Sequence, residues 1–310
     1  MTSNHGTDAA DRPDALPAGS VDCHVHVFDP QRHPFAAGRS YTPAPALAND
    51  LRAVQDALGI SRTVVVQASV QGTRTAALCD ALAALGPERA RGVAVVDHDD
   101  SGPSKLDQLQ ACGVRGLRLN LAVTGQTDVT AIDRALRAQA ALADRPGWHL
   151  QLHLDSVLLP WLAETLPHLP GRLVLDHFGG LHADARRDPP AAADALHRLL
   201  DSGRVHLKLS AFYRASAAAP DHADLDALAT TLLQRHPQRL VWGSDWPHTG
   251  GGHGPRDPAA IEPFRTVDLP ASLRALRRWC GDAATLRQVL VDNPQALYGF
   301  EAVAGARTAP

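Results

Sequence analysis

Val21-Asp22-Cys23-His24-Val25-His26-Val27, followed by Phe28-Asp29-Pro30, reads as a short buried β-strand: apolar, partly β-branched and stopped by proline. Side chains alternate along a strand, so His24 and His26 point to the same face. A strand buried on both faces has little use for two adjacent imidazoles, because each buried ring nitrogen needs a partner. A shared metal ion or a shared anionic ligand supplies one. Taken alone, the His-x-His pattern fits two hydrogen-bonded core histidines just as well.

Outward from this strand the same pattern recurs. Apolar runs at 62–67, 92–96, 114–121, 148–154, 172–177, 205–209 and 240–245 each precede a stretch with helical periodicity. Those stretches lie near 47–58, 76–85, 103–111, 131–143, 158–166, 192–201 and 225–235, with 269–280 and 283–291 closing the chain. Strands alternating with helices imply parallel strands joined by crossovers, and eight such units imply a (β/α)8 TIM barrel. A doubly wound open sheet would carry a Gly-rich phosphate turn after a strand. Gly250-Gly251-Gly252 follows the last strand but lacks that spacing.

The chain has 310 residues, 45% hydrophobic, with a formal net charge of -3. That balance argues against a nucleic-acid binder. No apolar run is long enough to span a bilayer, and residues 1–19 lack the apolar core of a signal peptide. A cytoplasmic location is expected. The four cysteines show no Cys-x-x-Cys spacing, so buried reduced thiols are expected. Residues 1–19 and 302–310 are expected to be disordered tails around one domain, 20–301. The sequence leaves the oligomeric state open.

In a (β/α)8 barrel the active site forms at the C-terminal ends of the strands. Those ends carry His24 and His26, Arg118 and Asn120, Gln151 and His153, Asp176-His177, Lys208 and Ser210, and Asp245 followed by Trp246-Pro247-His248. Each has an ordinary reading alone: His153 as a core histidine, Arg118 as a buried ion-pair partner, Lys208 as a strand-end charge. Their coincidence on one rim is not so explained. Neutral imidazoles and a carboxylate suit Zn2+ or a similar ion, with an open position for hydrolysis. His24, His26, His153 and Asp245 are the candidate ligands of a single ion, with His177 either a ligand or a polariser of water. No lysine or acidic residue on strand four is available to bridge two metals. Asp245 could also work without a metal, as a general base.

These motifs resemble the amidohydrolase superfamily, in the branch of 2-pyrone-4,6-dicarboxylate lactonase, 4-sulfomuconolactone hydrolase and the sugar lactonases. The resemblance runs from about Val21 to Phe300 and rests on VDCHVHVF, RSYTPAPA, VVVQAS, RGLRLN, LVLDHFGG, VHLKLSAF, LVWGSDWPH and VDNPQALYGF. It implies that Asp245 activates water and later protonates the leaving group, while His24, His26 and His177 polarise the lactone carbonyl. It implies substrate contacts at Tyr41, Ser69 and Arg118; Lys208 and His248 are added as further candidates. The sequence departs from the pyrone lactonase at His153, where that enzyme has tyrosine, and at Lys208, where it has arginine. It also lacks a second arginine soon after strand four. Guanidinium and ammonium are not equivalent for gripping a carboxylate. His153 moves the expectation toward the metal-dependent relatives, with one Zn2+ or Mn2+, as against the metal-free pyrone enzyme.

The expected function is therefore hydrolysis of a lactone, an acidic one, by water activated at Asp245. A non-oxidative decarboxylase of aromatic acids and a non-catalytic barrel that binds a small acid are the rivals. RSYTP and VVVQAS weigh against the first. An unneeded buried carboxylate beside the histidines weighs against the second.

Overall fold

A computed structural model describes residues 15–124, 128–252 and 257–302. Eight parallel strands follow one another in chain order around a single sheet: β1 (Val21–Val25), β2 (Arg62–Val66), β3 (Ala90–Ala94), β4 (Val114–Asn120), β5 (His149–His153), β6 (Leu173–Leu175), β7 (Val205–Ser210) and β8 (Leu240–Gly243). The sheet curls until its edges meet. Val25 bridges Trp246 in parallel, and the amides of Asp245 and His26 donate to the carbonyls of His24 and Trp246 at 2.9 and 2.8 Å. The Ser244 amide also donates to Asp22 Oδ1 at 2.8 Å. The (β/α)8 architecture read from the alternation is the one found.

The strands are apolar on both faces because each face packs on something. Outward side chains such as Leu173, Leu175, Leu207 and Leu240 join the helices in the main core. Inward Val21, Cys23, Val64, Val66, Val93, Val174 and Val241 fill the barrel together with Tyr298 and Phe300 from the C-terminal segment. No described helix is long and apolar enough to cross a membrane.

The long connection after β1 is anchored. Thr42-Pro43 pairs in parallel with Ile261-Glu262, and Thr42 Oγ1 donates to the Pro258 carbonyl at 2.6 Å. The first and last βα loops are thereby tied across the mouth. Of the glycine loop 250–254, His253 and Gly254 lie outside the described residues. Gly251 is packed, since a Cβ there would meet the Phe264 backbone at 2.5 Å.

Two expectations change. Cys79 and Cys112 form a disulfide, with Cα atoms 5.7 Å apart, while Cys23 and Cys280 are free and buried. The sixth strand ends at Leu175, so Asp176 and His177 lie just past it. Residues 1–14 and 303–310 of the expected tails lie outside the described residues; Leu16 packs on the core and the Ala15 carbonyl accepts from Arg277.

Candidate active site

The strand ends bring His24, His26, His177 and Asp245 to one point. Nε2 of His24, His26 and His177 lies 3.6, 3.7 and 3.9 Å from Asp245 Oδ1. On the far side of each ring, Nδ1 is tied down: to Asp176 Oδ1 at 3.2 Å for His24, to the Val66 carbonyl at 2.7 Å for His26, and to Ser210 Oγ at 2.9 Å for His177. A carbonyl oxygen only accepts, so His26 Nδ1 carries the proton and its Nε2 presents a bare lone pair. Ionised Asp176 imposes the same tautomer on His24. Lys208 Nζ lies farther from that Nδ1, at 3.4 Å.

Burial pushes the His24, His26, His153 and His177 imidazoles below their ordinary pKa, His26 and His153 to about 3. They are neutral. For Asp245 burial works upward, but His177 and Arg214, then His24 and His26, hold it well below the usual carboxylate range. With the lone pairs of His24 and His26 aimed at it, the anionic Oδ1 has no donor from either ring, and the guanidinium of Arg214 lies on the Oδ2 side. His24 Nε2 is buried and has no hydrogen-bond partner among the described residues. A divalent cation fits this donor set: ligands held about 2.1 Å from one tetrahedral centre lie about 3.4 Å apart, close to the separations above.

The set that converges differs from the expected one. Ligand atoms of His24, His177 and Asp245 all lie within 4.8 Å of one another. His26 approaches Asp245, whereas His153 stacks edge-on against His177, ring centroids 4.9 Å apart, with its Nδ1 unpartnered.

Above this centre opens a cavity lined by His26, Tyr41, Ser69, Arg118, Asn120, His153, His177, Arg214, Asp245 and Thr249. Of the expected substrate contacts, Tyr41, Ser69 and Arg118 reach it. Arg118 already has an anion, however: its Nε and Nη2 donate to Asp176 Oδ2 at 3.3 and 3.1 Å. Lys208 and His248 are not on the cavity wall. Lys208 is wholly buried beneath the floor, donating to Gln151 Oε1 at 2.7 Å and lying 3.5 Å from Asp176 Oδ1. His248 is buried with its ring edge-on to Tyr213. A hollow lined by Arg32, His33 and Asp80 elsewhere on the barrel gathers no catalytic set, since Asp80 is paired with both neighbours.

Two residues escaped the sequence reading. Tyr213 donates its hydroxyl to Asp245 Oδ2, and Arg214 Nε lies 3.7 Å from the same oxygen. Both stand on a single helical turn, Phe212–Ala215, after Ala211 at φ 50°. The only signal was their position three and four residues beyond a barrel strand that ends in the site.

Residues 21–300 match the amidohydrolase family model. The 2-pyrone-4,6-dicarboxylate hydrolase of Comamonas testosteroni is 34% identical over 298 residues, covering 93% of this chain and 92% of that protein. The 4-sulfomuconolactone hydrolase of Hydrogenophaga intermedia is 31% identical over 291 residues, covering 92% and 90%. A solved structure from Acinetobacter baumannii, named as a probable 2-pyrone-4,6-dicarboxylic acid hydrolase with citric acid bound, aligns with a TM-score of 0.71 at 27% identity, over 91% of this chain and 100% of that one. The strand-end histidines, the aspartate after the last strand and these matches agree: this chain is an enzyme of the amidohydrolase family.

Proposed function

We propose that this enzyme hydrolyses a lactone that carries a carboxylate. The observation behind the proposal is an ionised, buried Asp245 at the floor of a cavity that holds a partly exposed guanidinium, Arg214, in its wall. The names of the two relatives, both hydrolases of acidic lactones, and the citrate in the Acinetobacter baumannii protein support the same class.

Asp245 Oδ1 accepts a proton from a water in the cavity as that water attacks the ring carbonyl, then returns it to the departing ring oxygen. Tyr213, bound to Oδ2, leaves Oδ1 turned toward the reaction. The bare Nε2 atoms of His24 and His26 cannot donate to a carbonyl oxygen, so these two rings suit metal ligation better than direct polarisation of the carbonyl. His24, His177 and Asp245, with His26 beside them, would hold one Zn2+ or Mn2+, whose chemistry is to polarise the carbonyl and acidify water. Arg214 is the better grip for the substrate carboxylate because it is the more exposed of the two and lies 3.7 Å from its anion, whereas Arg118 is buried and spends two donors on Asp176. Tyr41, Ser69 and Thr249 offer hydroxyls to the ring.

Metal analysis of the purified protein followed by a lactone panel, assayed by acid release, tests the reading. Acidic lactones should open fastest, with about one divalent ion per chain. Carbon dioxide released from aromatic acids, with no acid from any lactone, would replace hydrolysis by decarboxylation.

A further inference from the structure

The end of the barrel opposite the cavity carries charge that the lactone reaction does not use. Strand register sorts the inward side chains into layers. Val64, Val93, Val174 and Val241 belong to one interior cluster, and the residue two positions earlier points to the same side. Those residues are Arg62, Arg91, Arg172 and Arg239. On β7, Val174 pairs with His206, which puts Arg204 in the same bottom layer. Five arginines thus face the N-terminal mouth.

Three are accounted for. The guanidiniums of Arg62 and Arg91 lie 5.3 and 4.7 Å from the Phe300 ring centroid. Arg204 donates to the carbonyls of Gly171 and Leu166 at 3.1 Å. Arg172 and Arg239 have no side-chain hydrogen bond or ion pair among the described residues. The Leu207–Leu240 pair places His206 beside Arg239. His206 is 7% exposed, and its Nδ1 is buried without a partner among the described residues. The charges acting on His206 are those of Arg239 and Arg172, with no carboxylate against them. One layer up, both ring nitrogens of fully buried His149 are also unpartnered.

We infer that Arg172, Arg239 and His206 form a second site, at the N-terminal end of the barrel, that binds a small oxyanion. Two guanidinium forks match the spread oxygens of a phosphate or carboxylate; Glu301 serves Arg62 and Arg91, and two half-buried cations without a counter-charge among the described residues are stabilised by one. The ligand is a free anion or the anionic group of a small metabolite.

Calorimetric titration and thermal unfolding of the full chain test this, with sodium phosphate and then succinate, each against sodium chloride at equal ionic strength. Saturable binding that raises Tm is expected for at least one of the two anions, and the stronger identifies phosphate or carboxylate as the source. Arg172→Gln and Arg239→Gln should each weaken it about tenfold or more and leave lactone turnover unchanged. Arg214→Gln, on the lactone side, should leave it in place. If a Gln variant does not fold, the Lys variant at that position should bind more weakly than wild type, because it keeps the charge but loses the fork. No saturable binding of either anion below about 10 mM, or binding lost in Arg214→Gln and kept in Arg239→Gln, overturns the site.

Discussion

At Asp245 the two carboxylate oxygens have different neighbours, and the difference assigns them different work. Oδ1 faces three imidazole nitrogens; Oδ2 is held by Tyr213. The backbone is held as firmly: Asp245 and His177 sit at φ 63° and 50°, a left-handed region that non-glycine residues enter only when their surroundings impose it. Asp245→Asn keeps the shape and removes the base, so turnover should fall by roughly two to four orders of magnitude with folding intact. Wild-type kinetics in that variant would remove Asp245 from the mechanism. Tyr213→Phe should lower kcat about tenfold while KM holds, since Tyr213 orients the base from outside the cavity lining; a change in KM alone would make it a binding residue. The two arginines should separate cleanly. Arg214→Ala should raise KM for an acidic lactone more than for an uncharged one. Arg118→Ala leaves the buried Asp176 carboxylate with Lys208 and Gln151 but without two of its donors, and should cost about 3 kcal/mol of stability, read as a drop in urea midpoint. If Arg118→Ala folds normally and only KM rises, Arg118 is the carboxylate grip after all.

At the level of elements, periodicity carried far. The helices at Ala76–Leu85, Pro103–Ala111, Ala192–Asp201 and Leu269–Cys280 match their expected bounds, because apolar spacing and Gly or Pro stops are local properties. Strand alternation also put His24 and His26 on one face. It could not tell depth. Lys208 and Arg118 share Asp176 below the cavity, and that carboxylate reaches them only through the closed barrel. Tyr213 and Arg214 were missed because they lie past β7, where a two-residue period no longer applies. The Cys79–Cys112 pair joins a helix to the turn before β4, a contact with no local signature. One element junction is a clear test. A Cβ at Gly243 would meet the Cβ and backbone nitrogen of His24 at 2.7 and 2.8 Å, so β8 lies flush on β1 only without a side chain there. Gly243→Ala should lower stability by about 1–3 kcal/mol and reduce activity by shifting His24. An unchanged Tm would mean that the junction yields easily.

For the whole molecule the buried imidazoles set the response to acid. In the folded state His26 and His153 are lowered to about 3 and His206 to about 4, chiefly by burial. The unfolded chain protonates its histidines near 6.5, so between these values it binds protons that the folded chain refuses. Stability is therefore full above 6.5 and falls as pH drops toward 4. Asp22 opposes this. Burial raises it to about 6, so its folded carboxyl keeps a proton that the unfolded chain releases above 3.8. From these four groups a net uptake of about two protons on unfolding remains, so they alone should lower stability by about 2.7 kcal/mol per pH unit below pH 6, and the other lowered histidines act in the same direction. Urea midpoints of metal-stripped protein at pH 7.5, 6 and 5 check the slope. A flat series would mean that these rings are already charged in the native protein.

The seam between β1 and β8 also bears on how the protein is made. Asp22 and Ser244, which close it, stand 222 residues apart in the chain, and the imidazoles and their carboxylate approach each other across the same line. A ribosome therefore releases the histidines long before the group they act with. Until the last strand emerges and docks, the nascent chain is chemically silent, and its first strand waits without one neighbour. Premature termination anywhere before residue 245 yields an inert product rather than a sluggish one, so in a cell extract turnover counts finished, closed molecules.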